Sequence, residues 1–118
     1  MVNKKVGKGV RVYKSKGKND EWDFAKLSAK GESPTKVIEK MKSAIPADKW
    51  EKGPDLETYW WHDPKYEDSV EVDKSWFQKH GGIFVGEFVM NGKHYTLEVN
   101  VSKRKGEWYG KGNTENID

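Results

Sequence analysis

The chain contains no cysteine in its 118 residues, which excludes a disulfide framework, a thiolate nucleophile and a cysteine-bound zinc. It has only four prolines and few leucines or isoleucines. No stretch approaches the roughly 18 apolar residues that a membrane-spanning helix needs. Met1-Val2-Asn3-Lys4-Lys5 lacks the apolar core of a secretory signal, so none is expected there. There is no P-loop, GxGxxG, HExxH or GxSxG. The three histidines (His62, His80, His94) have no metal-ligand spacing, so neither a metal nor another cofactor is expected.

What is present is charge and aromatic surface. Charged residues make up 35% of the chain and hydrophobic ones 34%, with a mean hydropathy of −1.01. Six tryptophans, five tyrosines and four phenylalanines argue against disorder, since a few large rings supply buried area that smaller side chains do not. The length suits one domain over 1–118. The net charge of +3 is unevenly spread. Residues 1–19 carry seven basic side chains and no acid, 48–73 carry nine acids against three lysines, and Lys103-Arg104-Lys105 forms a second basic cluster. A basic tract neutralises phosphates and releases counterions; it equally describes a solvated tail.

Residues 1–9 read as a flexible lead-in and Val10–Tyr13 as a short strand. A turn cluster follows at 15–20. Glu21–Leu27 suits a strand with Trp22 and Phe24 on one side, although a helical turn stays open. Ser33-Pro34 opens a helix, because serine accepts from the first free amides and proline has no amide to orphan. Val37, Ile38, Met41, Ala44 and Ile45 then make one apolar stripe, and Pro46 stops the run. Asp55–His62 reads as a strand broken by Asp63-Pro64, and Ser69–Val72 as a shorter one. Asp73 caps a brief helix over 75–79, closed by His80-Gly81-Gly82.

Asn91-Gly92 between two alternating runs predicts a two-residue type I′ hairpin over 83–101. That turn sets the register Met90–Lys93, Val89–His94, Phe88–Tyr95, Glu87–Thr96, Gly86–Leu97 and Val85–Glu98. It directs Phe84, Phe88, Tyr95, Leu97 and Val99 to the core. A turn at 103–106 leads to a last strand beginning Glu107-Trp108-Tyr109, with 112–118 expected to fray. The fold class expected is α+β: N-terminal strands and the amphipathic helix packed on a three- to five-stranded antiparallel sheet.

The face opposite the core carries the candidate chemistry. Glu87 lies beside Thr96, with His94 one pair along. A carboxylate and a histidine on a rigid sheet are what metal-independent RNA cleavage by the 2′-hydroxyl requires. Thr96 would orient the pair, while Lys93, Arg104, Lys105 or Lys111 would bind phosphate. A solvated sheet face is the plain alternative. His80 is a second catalytic candidate, or else a helix-terminal histidine bonded to the end carbonyls. Trp61 and Tyr109 offer rings for base stacking, with Trp60 or Trp61 otherwise in the core.

From Ser33-Pro34 to Tyr109, with Gly82–Phe88 and Asn91–Val99 at the centre, this helix-then-sheet layout resembles the barnase- and RelE-type ribonuclease toxins. More narrowly, it resembles the C-terminal toxin domains of bacterial contact-dependent growth inhibition proteins. The resemblance implies an enzyme that cuts tRNA in a competing bacterium and is neutralised by a cognate immunity protein. It also implies delivery from a secreted or surface carrier into the target cytoplasm. The alternative is a non-enzymatic binding protein in the cytoplasm, either the immunity partner of a toxin or a polyanion-binding module.

Overall fold

The computed structural model describes residues 2–5, 10–14, 22–62, 65 and 68–118. Among these, nine strands form one antiparallel sheet. They are β1 (Val2–Lys5), β2 (Val10–Lys14), β3 (Ala25–Gly31), β4 (Lys49–Trp50), β5 (Thr58–His62), β6 (Ser69–Val72), β7 (Gly82–Met90), β8 (Lys93–Arg104) and β9 (Glu107–Asn116). Two helices, α1 (Pro34–Ala44) and α2 (Lys74–His80), complete the description. The sheet order is β1-β2-β3-β9-β8-β7-β5-β6, with β4 pairing the end of β7. The α+β class stands, but the sheet is larger than three to five strands. The excess is mostly short strands, which carry little alternation for a sequence to display.

Three local expectations change. Val2–Lys5 is not a free lead-in but pairs with β2 from Val2↔Lys14 to Lys5↔Arg11. Residues 6–9, the 15–20 turn cluster and Asp63-Pro64 lie outside the described residues. The stretch expected to fray continues as β9 to Asn116, bonded to β3 on one side and β8 on the other. In place of a strand over 21–27, residues 22–24 form a turn and β3 runs from Ala25.

The hairpin has the anticipated register at all six pairs from Val85↔Glu98 to Met90↔Lys93, and the ladder continues in step to Gly82↔Val101. Asn91 (φ 53°) and Gly92 (φ 76°) both sit in the left-handed region, as a type I′ turn demands. Lys105 (φ 49°) and Gly106 (φ 82°) make a second tight turn into β9.

The core lies on one face of the sheet. Phe84, Phe88, Tyr95, Leu97 and Val99 are fully buried there beside Val12, Ala25 and Leu27. Helix α1 covers this face with Pro34, Val37, Ile38, Met41 and Ala44. Each large apolar group so buried contributes roughly 1.5–3 kcal/mol relative to exposure. Ser33 Oγ accepts from the Lys36 amide at 3.3 Å, and Pro34 opens the first turn as anticipated. Helix α2 packs on the same side through Phe77, whose ring lies 4.9 Å from Tyr59, itself 5.5 Å from Phe84. Asp73 caps it, accepting from the Trp76 amide at 2.8 Å. Among the described residues, no helix covers the opposite face of the sheet.

Candidate nucleic-acid interface

Alternation decides what that uncovered face presents. On β3, Ala25, Leu27 and Ala29 point to the core, so Lys26, Ser28 and Lys30 point away. On β9, Gly110, Gly112 and Thr114 face the core, leaving Tyr109, Lys111 and Asn113 outward. Register aligns these side chains in rows across the strands. Arg11, Ser28, Lys111 and Asn100 form one row, Lys26, Asn113 and Glu98 a second, and Lys30, Tyr109 and Ser102 a third.

The result is a basic groove along β3 and β9. It has a volume of about 780 Å³ and is lined by Phe24, Lys26, Ser28, Tyr109, Lys111 and Asn113 among others. A smaller depression continues it, formed by Lys30, Arg104, Lys105, Glu107 and Tyr109. Tyr109 joins the two. The Arg104 guanidinium lies over its ring, 4.8 Å from the centroid. That geometry is a cation–π contact, and it holds a planar cation beside a half-buried aromatic. Phe24 closes the other end and is 68% exposed.

The sequence-based candidates divide among three places. Arg104, Lys105, Lys111 and Tyr109 come together in this basic tract. His94, Glu87 and Thr96 share the same sheet face further along β8, and Thr96 pairs with Glu87 on one side and Glu115 on the other. Six residues separate His94 from Asn100, the row of Lys111, which is about 20 Å of strand. His94 is bound not to Glu87 but to Asp118. Its Nδ1 lies 3.0 Å from Oδ1 and its backbone amide donates to Oδ2 at 2.8 Å. A carboxylate only accepts, so Nδ1 carries the proton and Nε2 is left outward. The His94 backbone amide, then its ring, with smaller help from the Lys93 charge, holds Asp118 below the ordinary carboxylate range. Lys93, in phase with Tyr95 and paired with Met90, alternates to the opposite side of β8 from His94.

His80 and Trp61 belong to neither group. His80 ends α2 with Nδ1 3.0 Å from the Trp76 carbonyl and its ring stacked on Trp76 at 4.3 Å. This is the helix-terminal arrangement. Trp61 faces the helix side of the sheet, 5.4 Å from Trp76 and 39% exposed. Both lie across the sheet from the basic tract.

Lys26, Lys30, Phe24 and Asp118 were not anticipated from the sequence. The period-2 pattern Ala25-Lys26-Leu27-Ser28-Ala29-Lys30 was the available signal for the lysines. Asp118 had none, being twenty-four positions from His94. Among the described residues, no cluster of His, Asp and Glu has the makings of a metal site. No helix is long and apolar enough to cross a membrane among those residues. No protein-family model, curated protein or solved structure matches the chain. The functional reading therefore rests on the chemistry of this face.

Proposed function

We propose that the chain binds RNA through the basic end of the sheet face opposite its two described helices. The observation that carries this reading is Tyr109, set under Arg104 and at one end of a groove lined by Lys26 and Lys111. Lysines and an arginine neutralise phosphates, and an aromatic ring accepts a base of any sequence. The acidic side chains border this tract: Glu98 stands in the row of Lys26 and Asn113, and Glu87 and Glu115 flank Thr96 in the next row of that face. They repel a polyanion on that side and hold it towards Lys30, Arg104 and Lys111. The test is anisotropy of labelled tRNA across a range of NaCl concentrations. If the tract meets about three to five phosphates, the slope of log K against log salt falls near −2 to −3.5. Arg104→Ala together with Lys111→Ala flattens it. A salt-independent affinity, or one untouched by that pair, overturns the reading.

A second reading is supported by the His94–Asp118 contact. It is a metal-independent ribonuclease toxin, delivered into a competing cell, cutting tRNA and neutralised by an immunity protein. Asp118 fixes the tautomer of His94, so Nε2 would take the 2′-proton as that oxygen bonds phosphorus, while the P–O5′ bond breaks and the departing 5′-oxygen takes a proton from solvent. Incubation with total bacterial tRNA and EDTA, read on a denaturing gel, separates the two readings. Discrete fragments that vanish in His94→Ala establish the enzyme. Intact tRNA with retained binding leaves a binding module acting without cleavage.

A further inference from the structure

We infer that the groove takes unpaired RNA, with one base stacked on Tyr109 and another on Phe24. The inference rests on the RNA-binding reading and specifies its ligand. An exposed phenylalanine alone is ordinary on a protein surface. Phe24, however, ends a groove whose other end is also aromatic, and the cations lie between the two rings. Tyr109 and Asn113 are four residues apart on β9, and Asn113 stands opposite Lys26, two residues after Phe24. Four residues along β9 and two more back to Phe24 set the rings up to about 20 Å apart along the chain.

That spacing suits a short single strand better than a duplex. In a duplex the bases stack on one another and offer only their edges, so a protein reads phosphates and 2′-hydroxyls. A ring at each end of a groove serves no purpose for such a ligand. In a single strand the bases splay outward and find the rings, while the backbone between them passes Lys26 and Lys111. Ser28 and Asn113, on the floor beside those lysines, offer hydroxyl and amide groups to base edges or a 2′-hydroxyl. The bound length is on the order of 4 nucleotides, the low end for a single sheet platform.

The test compares a labelled decauridylate with a labelled RNA hairpin duplex on the full chain at one salt concentration. Phe24→Ala and Tyr109→Leu are the stacking variants. Phe24 is exposed, so its removal leaves the core untouched, and leucine keeps apolar bulk at the half-buried Tyr109. Each is expected to weaken decauridylate binding roughly 5- to 100-fold; Phe24→Ala leaves duplex binding unchanged, while Tyr109→Leu, which also frees Arg104, weakens the duplex far less than the single strand. Lys111→Ala is expected to weaken both probes. If the stacking variants bind decauridylate like the wild type while Lys111→Ala is impaired, the unpaired-base inference falls and the polyanion reading survives. If Lys111→Ala and Arg104→Ala also bind normally, both fall.

Discussion

Gly110 and Val37 meet so closely that a Cβ on the glycine would lie 2.5 Å from Val37 Cγ1, with Val99 and Met41 at 3.2 and 3.3 Å. Helix α1 is thus seated directly on the backbone of β9. The residues flanking Gly110 in sequence, Tyr109 and Lys111, emerge on the other side of the sheet. The core face of the strand fixes the position of its binding face. Gly110→Ala is expected to destabilise the protein by about 1–3 kcal/mol through overpacking. Adding Val37→Ala should recover part of that loss, since the two residues share one contact. Urea denaturation of the four proteins of this cycle is the measurement. Strict additivity would show that the helix is not held at this point.

The same contact explains what a reader of the sequence could and could not see. Asn91-Gly92 declared its hairpin because both residues tolerate positive φ, and the flanking alternation then set every pair of β7 and β8. The Ser33-Pro34 start of α1 was legible for the same kind of reason. β9 was legible only at its start, Glu107-Trp108-Tyr109. Gly110, Gly112 and Asn113 are poor strand formers, and the smallness of the two glycines is demanded by a helix remote in sequence. The candidate site was legible in part. Arg104, Lys105, Tyr109 and Lys111 surround one turn and are grouped by proximity along the chain. Lys26 and Lys30 reach them only through the β3–β9 pairing, which no local pattern announces. His94 was singled out for its sheet face, but its partner Asp118 lies two residues past the end of that poorly legible strand.

Thr114 anchors the end of β9 by a buried exchange. Its hydroxyl donates to the Trp22 carbonyl at 2.6 Å and accepts from the Ala25 amide at 3.1 Å. Thr114→Val keeps the shape and removes both bonds, leaving the Ala25 amide without this acceptor. A loss of roughly 1–3 kcal/mol is expected. Ala25 begins β3, so amide exchange at the start of that strand should accelerate in the variant. Unchanged exchange there would assign the hydroxyl no anchoring role.

Asp73 couples α2 to pH. The Trp76 amide, followed by the Ser75 hydroxyl, holds its carboxyl below the ordinary aspartate value. A depressed folded-state pKa means the cap contributes in full above the unfolded value and is lost as pH falls through the folded one. Acidification is therefore expected to loosen the first turn of α2, seen as a shift of the Trp76 amide resonance. Asp118 gives the same sign for the His94 amide. Asp73→Asn should abolish the pH dependence at Trp76 and leave that at His94 intact. Persistence of the Trp76 titration in that variant would assign it to another group.

Glu98 offers the sharpest test of where a polyanion lies. It is exposed on β8 and faces Asn113 in the groove wall, in the same row as Lys26. In the native chain its charge marks the acidic border of the basic tract. Glu98→Lys reverses that border with little effect on stability, since exposed substitutions away from special features stay within about 0.5 kcal/mol. Tighter binding of decauridylate is expected, with a salt slope steeper by about 0.7 if the new lysine meets one phosphate. Glu87→Lys, further from the groove and half-buried beside Thr96, should change the slope less. A Glu98→Lys protein that binds no more tightly than the wild type would place the bound strand away from β9, and with it remove Tyr109 as the stacking platform.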